Sequence, residues 1–396
     1  MMEYINDRQI LILYGLRRVG KTTLLYQFID ELLSRGVKAE HILYFSFDEI
    51  ETKIDDLILA HEENILRSPI GDAGKIYLIL DEIQKARDWE NRVKIFYDLH
   101  PNIKFIISGS ASLNVKRRSG ETLAGRIYSV YIVPLSFEEF REIKGIHLET
   151  GNWRVYENTI KPFFMDYAFE GGFSELVNEE REEKILSYIR EIVLDRIILI
   201  DIPEEFGVRD LSLLKTLVEM VASDPGLILN YDSLSRKLGK SKQTLINYIF
   251  YLEYSLVVKT IKNLRPGFLA TSRKMRKIYF TNSAFQSAIK GLSYDDPEKS
   301  VKNMVMQSAD LENYYREGND EIDFLWIRKG QVIPVELKYG AYQLDRVVGV
   351  LKKIGLHKGI IVSKDQYAVR KKEEVEIQVI PIWLFVLFND RLEEIR

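Results

Sequence analysis

Cysteine is absent from this chain of 396 residues. Disulfides, cysteine-ligated zinc, iron–sulfur clusters and thiol nucleophiles are thereby excluded. Histidine is scarce, with five residues in all, so a histidine-built metal centre has little to draw on. No apolar run approaches the roughly 20 residues that a membrane-spanning helix needs. The most apolar stretch, Val379 to Phe388, is interrupted by Pro381 and reads as a buried strand. The first nine residues carry Glu3, Asp7 and Arg8 and have no basic start followed by an apolar stretch, so no secretory leader is expected. Cytoplasm is the expected compartment, and no membrane partner is expected. There is no large excess of charge either: 56 Lys and Arg face 59 Asp and Glu, a net of −3. Hydrophobic residues at 46% and charged residues at 29% make an ordinary globular balance, which argues against disorder or fibrous repeats. At about 150 residues per domain, roughly two to four domains are expected.

What is present is unevenly distributed. Between Ser233 and Lys277 stand eleven basic residues, Arg236, Lys237, Lys240, Lys242, Lys259, Lys262, Arg265, Arg273, Lys274, Arg276 and Lys277, against the single acid Glu253. A basic island in an otherwise acidic chain implies a separate module with an anionic partner. The first third alternates apolar runs (Ile10–Tyr14, Ile42–Phe47, Ile76–Leu80, Ile103–Ile107) with helical patterns such as Thr22–Ser34. Continuous apolar runs between helices predict a parallel sheet buried on both faces, an α/β core over about residues 1–135. Residues 136–225 carry Glu, Leu, Tyr and Ile at helical spacing, broken at Gly171-Gly172. Residues 226–282 hold the basic module. Residues 283–396 begin helically and continue as strands at Ile322–Ile327, Val332–Leu337, Gly359–Val362 and Val379–Leu387.

Gly15-Leu16-Arg17-Arg18-Val19-Gly20-Lys21-Thr22 matches the phosphate-loop pattern, and it follows an apolar strand and opens a helix, as that chemistry requires. The glycines let backbone N–H groups curl toward phosphates. Lys21 would add a point charge there, and the Thr22 hydroxyl would ligate Mg²⁺. Gly15, Arg17, Arg18, Val19, Gly20, Lys21, Thr22 and Thr23 are the residues expected around the phosphates of ATP. The run Ile76–Leu80 ends in Asp81-Glu82, two carboxylates opening onto the same crevice in a doubly wound sheet. Asp81 is expected to hold Mg²⁺ and Glu82 to polarise the attacking water, with Gln84 close by. The run Phe105–Ile107 ends in Ser108-Gly109-Ser110, where either serine is placed to sense the γ-phosphate. Leu123-Ala124-Gly125-Arg126 brings Arg126 as a candidate arginine finger, in cis or in trans.

These runs, GLRRVGKTT, LILDEIQKARDWE, ISGSAS and LAGRIYSVYIVPLSFEEF, resemble the AAA+-like P-loop ATPases of prokaryotes. Within them the chain looks like a group whose C-terminal domain is of unknown function. The resemblance continues through YAFEGGFSELV, KIYFTNSAFQSAI and EIDFLW to VIPVELK. It implies an ATPase core, a helical and winged-helix follow-on, and a restriction-endonuclease-like C-terminal domain, without implying a cellular role.

The stretch Asn230–Tyr248 reads as helix–turn–helix, with Gly239 in the turn and Ser241 as N-cap of the second helix. Leu245, Ile249 and Leu252 form its buried stripe. Lys242, Gln243 and Asn247 then face solvent with donors suited to DNA phosphates or base edges, and Arg236 and Lys240 are expected to join them at the nucleic acid. Val257–Ile261 and Lys277–Phe280 pair as a wing in this reading. The alternative is that the module contacts a protein or another copy of the chain. Further on, a two-residue turn at Lys329-Gly330 would set Asp323 opposite Glu336 and Glu321 opposite Lys338. Two facing carboxylates with a nearby lysine match the Asp…Glu-x-Lys signature of restriction-endonuclease-like folds, a second candidate metal site at Asp323 and Glu336. Related domains carry a glutamate in the preceding helix, where this chain has Lys302. The expected boundaries are 1–135 for the ATPase core, 136–225 for a helical lid region, 226–282 for the winged helix and 283–396 for the endonuclease-like domain. The expected activity is Mg²⁺-dependent ATP hydrolysis coupled to a DNA-contacting module, with an ATP-gated nuclease or a nucleotide-dependent switch of little turnover as rivals.

Overall fold

The computed structural model describes residues 2–48, 50–109, 123–148, 153–264, 272–291, 297–340 and 343–388, together with Arg391. Ser110 and Arg265 lie outside the described residues. The chain divides into two compact units, Met1–Pro134 with Tyr254–Leu256, and Leu135–Glu253 with Val257–Arg396.

In the first unit, strands β1 (Ile10–Tyr14), β2 (Ile42–Ser46), β3 (Ile76–Asp81), β4 (Ile103–Gly109) and β5 (Ile127–Tyr131) form one parallel sheet in the order β2-β3-β4-β1-β5. Side chains alternate across a strand, so an uninterrupted apolar run fills both faces. Ile10 and Ile12 of β1 join Leu78 and Leu80 of β3 in one core with Trp89 and Val93 of helix Trp89–Leu99. Leu11 and Leu13 face the other way, with Ile79 and Ile106, against Leu25, Phe28 and Leu32 of helix Lys21–Ser34. The run at 10–14 therefore serves two cores at once. Strand β5 is not evident from its residues: at the sheet edge, Tyr128, Ser129 and Tyr131 are exposed and no continuous apolar run marks it.

The second unit begins helically, with helices Phe137–Ile143, Trp153–Glu170 and Leu211–Ser223 among others. It continues into a nine-stranded sheet. Its strands are β6 (Leu227–Ile228), β7 (Val258–Asn263), β8 (Ser272–Phe280), β9 (Asn313–Glu317), β10 (Asp320–Arg328), β11 (Gln331–Lys338), β12 (Lys358–Ser363), β13 (Ala368–Lys372) and β14 (Val375–Pro381). Their order is β13-β14-β12-β11-β10-β9-β7-β8-β6. Strands β7 and β8 pair antiparallel, with Val258 against Phe280 and Ile261 against Lys277. The ladder continues from β7 to β9, and Asn263 clasps β9 by exchanging two side-chain hydrogen bonds of 2.9 Å with the backbone of Arg316.

One strand expectation fails. Strand β14 ends at Pro381, and Ile382–Phe388 is a buried α-helix rather than a continuation of the strand. All seven of its residues are buried, packed in the core that also holds Val305, Phe324 and Leu337. A helix buried all round has no polar face, so its periodicity cannot be told from that of a buried strand.

Candidate functional site

The order of the first sheet places β4 between β1 and β3, so the chain reverses its direction of travel across the sheet beside β1. Ligands of open α/β sheets bind at such a switch point, outside the carboxyl ends of the strands. Three segments meet there: the loop after Tyr14, the end of β3 at Asp81, and Ser108 near the end of β4. Gly15 has a steric reason to be glycine, because an added Cβ would stand 2.1 Å from the carbonyl oxygen of Ile132. Arg18 and Gly20 both take positive φ, 63° and 88°, which curls the loop before the helix opens at Lys21.

Lys21 is 5% exposed, and its ammonium donates to the carbonyls of Leu16 at 2.7 Å and Gly15 at 3.2 Å. The Thr22 hydroxyl donates to Asp81 Oδ2 at 2.7 Å. Ser108 Oγ donates to Asp81 Oδ1, and the backbone N–H of Glu82 reaches the same oxygen at 3.1 Å. Asp81 is thus a buried hub, 2% exposed, that faces the phosphate loop from across the sheet. Glu82 follows in the left-handed region, φ 52°, and accepts a hydrogen bond from Gln84 Nε2. Val19 is buried in the loop, while Arg18 and Thr23 are exposed at its mouth.

Two residues of this cluster escape a motif search. The Tyr44 hydroxyl, on β2, lies 3.5 Å from Asp81 Oδ2 and 3.2 Å from the hydroxyl of Tyr26. Burial, the Tyr26 hydrogen bond and the Asp81 charge all push the Tyr44 phenol upward, so it remains a donor. Tyr26 stands four residues beyond Thr22, hence on the same face of its helix, a spacing that brings it to Tyr44.

Arg126, expected as an arginine finger in cis or in trans, lies away from this cluster. It precedes β5, whose Ile127 is level with Ile10 at the start of β1, so it lies at the opposite end of the sheet from the phosphate loop. Its guanidinium grips Asp98 with two bonds of 3.0 and 3.1 Å. Within one chain it does not belong to this cluster.

In the second unit the hairpin has the expected register. Phe324 pairs with Val335 and Arg328 with Gln331. Lys329 and Gly330 take φ of 48° and 77°, both positive as a two-residue primed turn requires. Beyond Phe324 the regular ladder gives way to side chains. The Asp323 N–H donates to Glu336 Oε2 and the Leu337 N–H to Asp323 Oδ2, each at 3.0 Å. Lys302 Nζ lies 2.8 Å from Asp323 Oδ1, and Lys338 Nζ 2.8 Å from Glu336 Oε1. Glu321 pairs with Lys277 at 2.5 Å and Arg316 at 3.3 Å rather than with Lys338. Burial pushes the Asp323 carboxyl up, but the charges of Lys302 and Lys277 outweigh it and hold the carboxyl below its ordinary value. Burial and the Asp323 charge push Glu336 upward against Lys338. Among the described residues no three His, Asp or Glu side chains are grouped to hold a metal ion.

The helix–turn–helix pattern falls on helices Tyr231–Leu238 and Lys242–Tyr254. Ser241 Oγ accepts from the Thr244 N–H at 3.0 Å, and Leu245, Ile249 and Leu252 are buried. Gln243 bonds Asn247 at 2.9 Å on the outer side. The basic island is partly neutralised by acids from outside it: Lys240 pairs with Asp210 at 2.7 Å, Lys242 with Asp232 at 2.9 Å and Lys259 with Asp310 at 2.5 Å. Arg236 is exposed and donates to the Asp232 carbonyl at 3.4 Å.

Among the described residues no helix is long and apolar enough to cross a membrane. Residues 7–141 match the model of the AAA domain, and residues 162–296 match a domain of unknown function, DUF8612. An uncharacterised protein of Haemophilus influenzae is 27% identical over 412 residues, covering 97% of this chain and 96% of its own length. An uncharacterised protein of Methanocaldococcus jannaschii is 27% identical over 402 residues, covering 91% and 82%. The AMPPCP-bound DnaA of Aquifex aeolicus aligns at 15% identity and a TM-score of 0.27, over 64% of this chain and 85% of that one. The domain match over 7–141 supports a nucleotide-binding ATPase of the AAA kind, and it spans the phosphate loop and Asp81-Glu82.

Proposed function

We propose that this chain hydrolyses ATP with Mg²⁺ on the first unit and couples turnover to a DNA-contacting helix–turn–helix in the second. The observation that carries the first half is the approach of Thr22 to Asp81 at 2.7 Å beside the buried Lys21. A hydroxyl and a carboxylate that converge at the switch point suit a divalent cation, and Lys21 and the loop N–H groups suit the phosphates it accompanies. Mg²⁺ would be held by Thr22 and Asp81 and would supply charge neutralisation on the phosphates. Glu82 is the base that orients water, Gln84 holds its carboxylate, and Ser108 and Tyr44 fix the rotamer of Asp81. Arg17, Arg18, Val19 and Thr23 line the phosphate site. A role for Arg126 requires a second copy of the chain, whose phosphate loop would meet this end of the sheet.

The DNA half rests on the exposed donors Arg236, Lys242 and Gln243, with Lys240 and Asn247 half-buried beside them. The ion pairs of Lys240 and Lys242 are at the surface, where such pairs contribute little, so phosphates can replace their acids. The hairpin of the second unit is read as an endonuclease-like fold that grips rather than cuts, because Lys302 supplies to Asp323 the positive charge that a metal would bring. The deciding measurement is ATP turnover with Mg²⁺, with and without duplex DNA. Mg²⁺-dependent hydrolysis that DNA accelerates is expected. No nucleotide binding would remove the first half of the proposal, and turnover indifferent to DNA, with no DNA binding, would remove the second.

A further inference from the structure

The N-terminal end of the first sheet, opposite the phosphate loop, holds a cavity of about 400 Å³. Seven residues of β4 separate the two ends, about 20 Å at the usual rise of a strand. Its walls are the chain before β1, the loop before β3 and the start of β4, with Asp7, Arg8, Lys75, Asn102 and Lys104 among the lining residues. A cavity of this size is in the range that takes small ligands.

Its chemistry is cationic. Lys104 is 2% exposed, and its ammonium donates to the carbonyls of Asp7 at 2.8 Å and Gln9 at 2.6 Å. An ammonium has three donors, so these two carbonyls leave it one more. Lys75 Nζ donates to the Ile5 carbonyl at 3.0 Å and lies 3.5 Å from Asn6 Oδ1. Among the described residues neither lysine has a carboxylate within ion-pair distance. Arg8 donates to the Tyr97 carbonyl at 3.0 Å, with its guanidinium over the Tyr97 ring. Asp7 is the one acid on the wall against three cations. A buried ammonium held only by carbonyl dipoles is costly, and a counter-ion offsets that cost. Burial lowers Lys104 to about 8; Asp7 pulls it up and Lys75 pushes it further down. The wall is also fixed in place: Asn102 Nδ2 donates to the carbonyls of Ile70, Ala73 and Gly74 at 2.8 to 3.1 Å.

We infer that this cavity is a second ligand site, distinct from the phosphate loop, for a small anion bearing phosphate or carboxylate groups, with Lys104 and Lys75 as its binding residues. The inference does not depend on ATP hydrolysis. The alternative is that Lys104 and Lys75 only tie the chain before β1 to β4 and to the loop before β3, a role that predicts no saturable anion binding.

The test uses the full chain carrying Lys21→Ala, so that the phosphate loop is silenced, with inorganic sulfate as the probe and sodium chloride of matched ionic strength as control. Sulfate keeps its charge between pH 6 and 9, so any pH dependence of its binding belongs to the protein. Calorimetry should show saturable sulfate binding at pH 6.5 that weakens as the pH rises through about 8, where Lys104 loses its proton. Lys104→Gln and the exposed Lys75→Gln should each weaken it by at least about tenfold, the scale of one charge-assisted hydrogen bond. If Lys104→Gln does not fold, Lys75→Gln alone decides. Absence of saturable binding above the chloride control would overturn the inference, as would unchanged affinity in Lys75→Gln.

Discussion

Replacing Lys302 with methionine keeps the length and most of the packing of the side chain and removes its charge. The Asp323 carboxylate then keeps the Leu337 N–H, and its own N–H still donates to Glu336, but it loses the ammonium at 2.8 Å. The side chains of Lys302 and Asp323 are 22% and 5% exposed, so solvent screens the pair little. Breaking a buried pair typically costs 3–5 kcal/mol. Lys277 remains close enough to offset part of the charge on Asp323, which puts the expected loss near the lower end, about 3 kcal/mol. For a unit of this size that lowers the melting midpoint by about 6–12 °C. The pH dependence follows from the sign of the shift. With Lys302 present, the Asp323 carboxyl is held below its ordinary value, so the stability it contributes is present at neutral pH and is lost as pH falls through that lowered value. Without Lys302 the first of the charges that lower the carboxyl is gone, so its value is expected to move up, and the penalty is expected to grow as pH rises and to be smaller at pH 5 than at pH 7. Melting at both pH values, with hydrogen exchange at Phe324 and Val335 reporting the second unit, measures this. Asp323→Asn added to Lys302→Met should recover most of the loss. A Lys302→Met chain that melts within about 2 °C of the parent at pH 7, or one that Asp323→Asn fails to rescue, would refute the charge-compensation argument.

Lys21→Ala should abolish nucleotide binding or turnover; parental affinity and rate in that variant would remove the phosphate-loop assignment. Glu82→Gln should leave ATP binding intact and lower hydrolysis by at least about 10²-fold, read by nucleotide titration against steady-state rate. Replacing Arg236, Lys240 and Lys242 with glutamate should weaken duplex DNA binding and flatten its salt dependence by about 0.9 in log–log slope per lost phosphate contact. The parent chain should not cleave DNA with Mg²⁺ or Mn²⁺, with or without ATP; robust cutting that disappears in Asp323→Ala would promote the nuclease reading, and cutting confined to Lys302→Glu would identify the missing ligand.

The parts of the fold that can be read from the residues are those where one local rule decides. Ile10–Tyr14 and Ile76–Asp81 are too short for helices and too apolar for an exposed face, so they are central strands. Lys329-Gly330 can turn in two residues, and the turn alone sets every pairing of the hairpin down to Phe324 with Val335. Where two rules agree on the same residues, the reading goes astray or is silent. Val379–Phe388 is apolar throughout, and only the tertiary surroundings decide that β14 stops at Pro381. Strand β5 is at an edge and half-exposed, so nothing marks it except the partner it lies against.

The candidate sites divide along the same line. Lys21 and Thr22, at the start of the helix that follows β1, meet Asp81 at the end of β3 and Ser108 near the end of β4, and strand ends can be found one at a time. Tyr44 carries no motif, and only the pairing of β2 beside β3 brings it to Asp81. Charge is harder still, because it is a property of neighbours rather than of segments. The island from Ser233 to Lys277 reads as strongly basic along the chain. In space Asp210, Asp310 and Glu321 are inserted into it, and Lys277 is drawn under Tyr314 with Glu321. The cationic cavity at the far end of the first sheet is the converse case. Arg8, Lys75 and Lys104 are unremarked singly among 56 basic residues. They become a candidate site only because β1, β3 and β4 run parallel and so start side by side.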